Sequence, residues 1–170
     1  MSASEAYFLR AEGALKNWNM NGNAKEFYEK GVTVSMEERG VSVGNYLSDS
    51  YSTPADYVDP TDSGKNRAAV SKITPAYDES AGDAANLERI LVQKWIANFP
   101  NGWETWADIR RTGYPKHFPI VNNLNTDGVT IERGMRRLPY PQSEYNTNRA
   151  NVEAAVSMLG GADNSATDLW

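Results

Sequence analysis

The chain contains no cysteine, which excludes disulfides, thiolate catalysis and cysteine-based zinc sites. No apolar run approaches the roughly 18–20 residues that a membrane-spanning helix needs. Positive charge is in the minority, because 17 Lys and Arg stand against 22 Asp and Glu and leave a net charge of -5. Nucleic-acid-binding surfaces are usually basic, so we expect no nucleic-acid partner.

The sequence motifs of common enzyme classes are also missing. His117 is the single histidine, and without a second imidazole or a cysteine we expect no transition-metal site. The sequence has no G-x-S-x-G nucleophile elbow and no glycine-rich phosphate-binding motif. Glu37 and Glu38 fall on a solvated helix position and do not resemble the acid/base pair of a glycoside hydrolase. The residues alone therefore identify no catalytic site and no cofactor site.

Two polar segments offer oxygen ligands of the kind that bind cations. Residues 123–128, NLNTDG, begin like a calcium loop, but the twelfth position, which must be acidic, is Gly134. Residues 59–64, DPTDSG, supply two carboxylates in a loop, which is weak support for a site. We interpret the first segment as a polar turn and predict no metal site.

The spacing of apolar residues predicts an all-α fold with long irregular connections. A first helix begins at a Ser2 or Ser4 cap and ends before a turn at residues 19–23. A second helix covers residues 24–39 and stops at Gly40. The predicted inward residues are Tyr7, Ala11, Ala14, Leu15 and Trp18 in the first helix, and Phe27, Tyr28, Gly31, Val34 and Ser35 or Met36 in the second.

These two helices resemble a tetratricopeptide-type hairpin. No second copy occurs at the repeat period, so the pattern indicates one pair and not an array. One pair cannot bury its own apolar face, so we expect the hairpin to dock on another part of the protein. An exposed apolar groove along the hairpin would instead indicate a helical-repeat module for protein–protein interaction.

Further helices are predicted at residues 84–99, 103–111 and 149–159, with a short helix within 41–51. The helix at 84–99 is apolar over most of its circumference, so we expect it to be largely buried, Trp95 included. Residues 52–86 are rich in Ser, Thr, Pro, Asp and Gly and predict a long loop, a class of segment that is often functional or mobile. Residues 113–147 are predicted to be extended or irregular.

Aromatic side chains are the candidate binding residues. Helical spacing favours core packing for Trp103 and Trp106, although an indole can also stack on a sugar ring. A tyrosine in a loop cannot easily find a core, and it offers both a stacking face and a hydroxyl. The candidate ligand-binding residues are Tyr46, Tyr51, Tyr57, Tyr77 and Trp103.

Paired arginines occur at positions 110/111 and 136/137. They could bind a carboxylate or phosphate of a ligand, or they could pair with internal carboxylates and stack on a nearby tyrosine. Their helical and near-proline contexts favour the structural role. The predicted partners are Glu104, Asp108, Glu132 and Glu144.

Residues 93–115, QKWIANFPNGWETWADIRRTGYP, and residues 136–148, RRLPYPQSEYNTN, are similar to two motifs of the SusD/RagB family of Bacteroidetes surface nutrient-binding lipoproteins. The closer resemblance is to the SusD-like subgroup. The opening SEAYFLRAEGALKNWN also resembles a helix of that family's helical-repeat scaffold. The matching residues are Gln93, Lys94, Trp95, Phe99, Trp103, Trp106, Arg110, Arg111, Thr112, Gly113, Tyr114, Pro115, Arg136, Arg137, Leu138, Tyr140, Pro141, Glu144, Asn148 and Trp170.

The resemblance implies capture of an oligosaccharide at the outer cell surface, without catalysis, and its delivery to a TonB-dependent, SusC-like transporter. Some relatives handle peptides, so a peptide is the alternative ligand. Family members are much longer and begin with a lipoprotein signal. We therefore read residues 1–170 as a single domain that corresponds to the C-terminal third of a lipid-anchored outer-membrane protein, soluble as an isolated chain.

Overall fold

The computed structural model describes residues 2–169, and within them the chain forms six α-helices and no β-strand. This confirms the predicted all-α fold. Two 3-10 turns, Tyr46–Ser48 and Ser63–Lys65, and an isolated bridge between Tyr57 and Arg67 interrupt the loops. The helices are α1 (Ala3–Leu15), α2 (Ala24–Glu37), α3 (Gly82–Ala97), α4 (Gly102–Thr112), α5 (Gln142–Thr147) and α6 (Arg149–Ser157).

The chain divides into two compact units, of which the first ends at His117 and the second begins at Phe118. Helices α1 to α4 belong to the first unit, and α5 and α6 belong to the second. The expectation that residues 1–170 form a single domain stays a prediction. Helix α5 lies in a segment that was expected to be irregular.

Local capping explains where the hairpin helices begin. The Ser2 hydroxyl accepts a hydrogen bond from the backbone N–H of Glu5 and caps α1, as predicted. Helix α2 opens with a capping box in which Asn23 and Glu26 each accept from the other's backbone N–H. Both caps satisfy amide groups that would otherwise lack a partner at a helix end.

The hairpin buries its apolar face against α3, so the expected docking partner lies within the chain. Both hairpin helices contact α3. Gly31 allows the close approach of α1 and α2, because a Cβ at this position would lie 2.9 Å from the Phe8 ring. The buried cluster consists of Phe8, Ala11, Phe27, Tyr28, Val32, Ile90 and Ala97.

Two inward residues of the hairpin were predicted incorrectly. Trp18 is 63% exposed, because α1 ends at Leu15 and the helical face does not continue to position 18. On α2 the buried positions include Val32, whereas Val34 is only half-buried. The α2 face is therefore rotated slightly from the predicted one.

Helix α3 buries Ile90 and Leu91, as expected, but part of its apolar surface is exposed. Trp95 and Ile96 are half exposed, and Phe99, just past the helix, is exposed, so the expected burial of Trp95 is wrong. The charged Glu88, Arg89 and Lys94 are buried instead. Ion pairs and hydrogen bonds within the first unit make this burial of charge possible.

A buried charge network joins α1, α3 and α4. The Lys94 ammonium lies 2.8 Å from Asp108 Oδ2 and 3.8 Å from Glu5 Oε1. Arg111 donates to both oxygens of Glu12 and, at 3.0 Å, to Asp108 Oδ1. Asp108 is one of the four carboxylates predicted to pair with the arginines, and the structural role predicted for Arg111 agrees with these contacts.

The ionisation of Glu12 depends on this network. Burial alone would raise the pKa of its carboxyl, but the hydrogen bonds and charges of Arg111 and Lys16 hold the pKa below its ordinary value of 4.5. The hydrogen bond to Glu12 raises the pKa of Arg111 in turn, which keeps the guanidinium charged. The pair is therefore ionic at neutral pH.

The long loop before α3 is held by hydrogen bonds more than by apolar packing. Ser71 donates to Glu88 Oε1 over 2.6 Å, and Lys116 lies 2.9 Å from the other oxygen of Glu88. At the 59–64 segment, Asp59 accepts from both Thr61 donors and from the backbone N–H of Asp62, which lowers its pKa to about 2. These contacts form a polar turn. Among residues 2–169 no group of three metal-ligating side chains occurs.

The second unit is organised around Asp163. Its carboxylate receives the hydroxyl of Tyr145 at 2.6 Å, the backbone N–H of Tyr140 and the guanidinium of Arg137. Burial alone would raise the pKa of Asp163, but these three donors together hold it below 3.8. Arg137 also covers the Tyr140 ring, as predicted, at 5.0 Å from its centroid.

The segment at residues 123–128 is the predicted polar turn. Asn123 Oδ1 accepts from the Asn125 backbone N–H, and Asn125 Oδ1 accepts from that of Asp127. Asp127 then receives the backbone N–H of Ser165 at 2.7 Å. The side-chain oxygens that a calcium ion would use thus serve as turn caps.

Replacement of Lys94 by methionine should destabilise the first unit. The buried carboxylates of Glu5 and Asp108 would lose their ammonium partner, at a cost of about 3–5 kcal/mol. Urea unfolding of wild type and Lys94→Met measures this. The matched control is Lys65→Met. Lys65 forms an exposed ion pair with Asp62, so its loss should change the free energy of unfolding by less than about 1 kcal/mol. Equal effects of the two variants would show that the Lys94 network contributes little.

Replacement of Gly31 by alanine should also be destabilising. Alanine favours a helix over glycine by about 1 kcal/mol, but the new methyl would press on the buried Phe8 ring, and overpacking typically costs about 1–3 kcal/mol. Gly102→Ala is the control, because a Cβ there meets no atom within 4 Å. Thermal unfolding should show a lower Tm for Gly31→Ala alone. A raised Tm would mean that the hairpin separates at little cost.

Acid should weaken the second unit through Asp163. A carboxyl whose pKa is lowered on folding contributes stability above its unfolded value, near 3.8, and loses that contribution as pH falls through the folded pKa. Asp163→Asn should therefore be clearly less stable than wild type at pH 7, with a smaller difference at pH 3. Hydrogen exchange of the α5 and α6 backbone amides measures this difference in stability at each pH. The control is Glu153→Gln, because Glu153 pairs with Arg149 on the surface, and its effect on stability should not depend on pH in this way. If Asp163→Asn lowers stability by the same amount at pH 3 and pH 7, the carboxylate of Asp163 is not the group that responds to acid.

Candidate ligand-binding site

A cleft of about 350 Å³ lies in the first unit, between one side of α3 and the loop segments that precede the helix. Helix α3 contributes four residues within little more than one helical turn, and the loops supply the facing wall. The lining residues are Tyr46, Ser52, Thr53, Pro54, Ile73, Thr74, Pro75, Val92, Gln93, Trp95 and Ile96.

The helical repeat explains why α3 presents this surface. Val92, Trp95 and Ile96 are three or four positions apart, so their side chains share one face. Lys94 lies between them in sequence but points to nearly the opposite side, where it is buried with Asp108. Trp95 remains 50% exposed, which leaves an indole face open to the cleft.

The facing wall is a loop whose backbone is fixed by buried groups. Arg89 Nε donates to the carbonyl of Thr74 at 3.0 Å, and the Tyr28 hydroxyl donates to the carbonyl of Pro75 at 2.5 Å. The Ala76 N–H donates to the carbonyl of Asp49 at 2.9 Å. Tyr28 belongs to the core, and burial raises its pKa far above the ordinary value, so it stays a hydrogen-bond donor. The wall is therefore positioned before any ligand arrives.

Two polar side chains meet at the cleft. Gln93 Nε2 donates to the hydroxyl oxygen of Tyr46 at 2.7 Å, and Gln93 is only 8% exposed. The Tyr46 hydroxyl therefore retains its own proton for a further acceptor. The amide oxygen of Gln93 accepts from no other described residue, so it can receive a donor. The pair thus offers one donor and one acceptor.

No charged side chain lines the cleft. Its lining contains no Asp, Glu, Lys, Arg or His among the described residues. Hydroxyls of Ser52, Thr53 and Thr74 alternate with apolar groups such as Ile73 and Pro54. Such a surface suits a neutral ligand with an apolar side, because a charged group would lose its hydration without gaining a partner.

The five sequence-predicted binding residues do not form one cluster. Tyr46 lines the cleft. Tyr77 packs on the core residue Tyr28, with ring centroids 5.5 Å apart. Tyr51 is 91% exposed on the loop, and Tyr57 is bound through its hydroxyl to Asp59 at 3.0 Å. Whether any of them binds a ligand stays a prediction.

Trp103 lies on α4 and not in the lining of the cleft. It is 73% exposed, so the core position favoured by its spacing is wrong, and its role as a sugar platform stays a prediction. Its ring meets Trp106 edge-on with centroids 5.7 Å apart. Trp106 is half-buried and is covered by the guanidinium of Arg110 at 3.9 Å.

The sequence analysis did not place Trp95 and Gln93 at this cleft. Trp95 was assigned to the core because it lies in an apolar helix. Gln93 carries no local signal, since its partner Tyr46 lies 47 positions away. The signal that could have found Trp95 is its proximity to Lys94, because the two side chains must point to different sides of α3.

None of the helices within residues 2–169 is long and apolar enough to span a membrane.

Comparison with known proteins shows a match over the whole chain. The SusD-like family, described as "Susd and RagB outer membrane lipoprotein", matches residues 1–170. No match was found among curated proteins.

Solved structures of this family share the fold. A chitin-binding SusD homolog from Flavobacterium johnsoniae is 48% identical, with a TM-score of 0.93 over 100% of this chain and 36% of its own. A SusD-like protein from Bacteroides thetaiotaomicron is 55% identical, and a SusD homolog from Bacteroides uniformis is 49% identical, each with the same TM-score and the same coverage of both chains. The chain thus spans about a third of the length of these proteins.

The family match over all 170 residues and the identities near one half agree with the two motifs at residues 93–115 and 136–148. The chain belongs to the SusD-like family.

Proposed function

We propose that this chain is part of a nutrient-binding protein at the outer cell surface, which holds a neutral oligosaccharide without catalysis. The observation that supports this most is the uncharged cleft beside the half-exposed indole of Trp95. The C–H face of a pyranose ring can stack on an indole, while Tyr46 and Gln93 supply hydrogen bonds at one edge. Family membership and the chitin-binding relative from Flavobacterium johnsoniae favour a glycan over other neutral ligands.

The proposal includes the partner and the location. The family description, outer membrane lipoprotein, supports a lipid-anchored parent protein at the outer membrane. Delivery of the ligand to a TonB-dependent, SusC-like transporter is the expected next step. The half-exposed Ile96 and the exposed Phe99 and Trp103 leave apolar surface near the end of α3, which suits contact with another protein surface.

A non-catalytic role agrees with the chemistry of the cleft. Glycoside hydrolysis needs two carboxyl groups facing the scissile bond, and no carboxylate is part of the described lining. The buried Glu88 lies on the same helix but is bound by Ser71 and Lys116. Binding through stacking and neutral hydrogen bonds leaves the ligand chemically unchanged.

The alternative of a helical-repeat interaction module finds less support. That function needs an exposed apolar groove along the hairpin, but Phe8, Phe27 and Tyr28 are buried against α3. Between residues 2 and 40, the exposed large apolar side chains are Leu9 and Trp18. A peptide ligand remains the second candidate, because the cleft is apolar and uncharged.

Titration of the chain with a panel of neutral and acidic oligosaccharides, followed by tryptophan fluorescence, tests the proposed function. A saturable change with at least one neutral glycan is expected, because an indole borders the cleft. Base–aromatic stacking is worth roughly 1–3 kcal/mol, and stacking of a sugar ring should be of similar order, so Trp95→Ala should weaken binding about tenfold or more.

The matched control is Trp103→Ala, which removes an exposed indole outside the cleft and tests the remaining aromatic candidate at the same time. If Trp103→Ala abolishes binding and Trp95→Ala does not, the sugar ring stacks on the indole of α4 and not on that of α3. If no glycan binds while short peptides do, the peptide alternative replaces the proposal.

A further inference from the structure

The polar edge of the cleft has an unusual combination of groups. Gln93 is more than nine-tenths buried, and one of its amide hydrogens is used by Tyr46. Its amide oxygen has no donor among residues 2–169, and the Tyr46 proton is unused by any described acceptor. The amide oxygen is therefore open to a donor from outside the protein. Together the two groups can bind a molecule that bears one donor and one acceptor.

We propose that the cleft is a subsite for the acetamido group of a neutral N-acetylated amino sugar. The inference rests on the proposed glycan-binding function and narrows it to a substrate class. In this arrangement Tyr46 donates its O–H to the acetamide carbonyl, and the acetamide N–H donates to the amide oxygen of Gln93. The acetyl methyl lies against the apolar lining near Val92 and Ile96.

The charge of the lining excludes two groups of sugars. Uronic acids, sialic acids and sulfated sugars carry a negative charge, and the cleft has no Lys or Arg to receive it. The chain as a whole is also negative, with a net charge of -5. Amino sugars without the acetyl group are cationic, and the lining offers them no carboxylate. Neutral sugars remain.

The apolar lining separates N-acetylated sugars from plain hexoses. A hexose carries a hydroxyl at the ring carbon where the N-acetylated sugar carries its acetamido group, and a hydroxyl buried there without a partner costs about 1–3 kcal/mol. Ile73, Pro75, Val92 and Ile96 cannot accept or donate hydrogen bonds through their side chains. An acetyl methyl needs no partner, so it matches these residues, while its amide matches Tyr46 and Gln93.

The half-exposed indole of Trp95 provides the place for the sugar ring itself. It lies one helical turn from Val92 and directly after the buried Lys94, so its ring is held on the open side of α3. The cleft volume, about 350 Å³, is comparable to that of small-ligand pockets and leaves room for a ring beside the acetamido group. A peptide group has the same donor and acceptor but no pyranose face for the indole, so the sugar is the favoured ligand.

The experiment compares three disaccharides that share one linkage. N,N′-diacetylchitobiose carries the acetamido groups, cellobiose has hydroxyls in their place, and the deacetylated dimer of glucosamine carries amines. Isothermal titration and saturation-transfer NMR on the 170-residue chain should show binding of the diacetyl compound at least about tenfold tighter than of the other two, with the strongest saturation on the acetyl methyl. Loss of one hydrogen bond from a buried site supports this ratio.

Two variants locate the interaction. Tyr46→Phe removes one hydroxyl and keeps the ring, so it should weaken binding of the diacetyl compound about five- to tenfold. Binding of cellobiose, which has no acetamide carbonyl to receive the Tyr46 hydroxyl, should weaken by a smaller factor. Tyr7→Phe is the matched control, because Tyr7 lies on α1 and not in the lining of the cleft, and this variant should change the binding of neither sugar. Circular dichroism and Tm confirm that both variants fold.

The outcomes separate this inference from the proposed function. If glycans bind but show no preference for the acetamido group, or if Tyr46→Phe has no selective effect, the inference is overturned while glycan binding stands. If trialanine binds as tightly as diacetylchitobiose, the cleft is a peptide-group site and the inference is overturned. If no saccharide binds at all, both fail together.

Discussion

The burial of Lys94 is the constraint on which the first unit depends. Its ammonium must have an anionic partner, because an unpaired charge in the interior is strongly unfavourable. Asp108 of α4 and Glu5 of α1 supply the carboxylates, so α3 can turn only one side toward those helices. With 3.6 residues per turn, Val92 and Ile96 then lie nearly opposite Lys94. The ion pairs of Lys94 that orient α3 in the core therefore also place Val92 and Ile96 on the side of the helix that lines the cleft.

The facing wall of the cleft depends on hydrogen bonds from the same interior. A loop with little apolar area of its own is usually mobile, but here Tyr28 and Arg89 reach out of the packed helices to hold the carbonyls of Pro75 and Thr74. The wall is thus an extension of the core and not an independent segment. A ligand that enters such a cleft orders little of the protein, so more of each contact contributes to its affinity.

Local rules explain how much could be predicted from sequence. The Ser2 cap, the turn at residues 19–23 and the spacing of apolar residues are local signals, so both hairpin helices were placed within two or three residues. Tyr46 was predicted as a loop tyrosine that could bind, and it lines the cleft. Trp95 was misplaced because periodicity shows which residues share a face but not what covers that face. Gln93 was missed because its partner lies 47 positions away.

The distribution of charge connects stability with recognition. Glu12 and Asp163 are bound by arginines, and Glu88 by Lys116, so these carboxylates are used inside the protein. The cleft, in contrast, offers an indole face and neutral hydrogen-bonding groups, and a neutral hydrogen bond contributes only about 0.5–1.5 kcal/mol. Several weak, uncharged contacts bind reversibly and vary little with ionic strength, since no counterion is displaced. For a protein proposed to pass its ligand to a transporter, weak contacts favour release as much as capture. A cleft built from paired charges would instead bind the ligand more tightly, or with an affinity that changes with the ionic strength outside the cell.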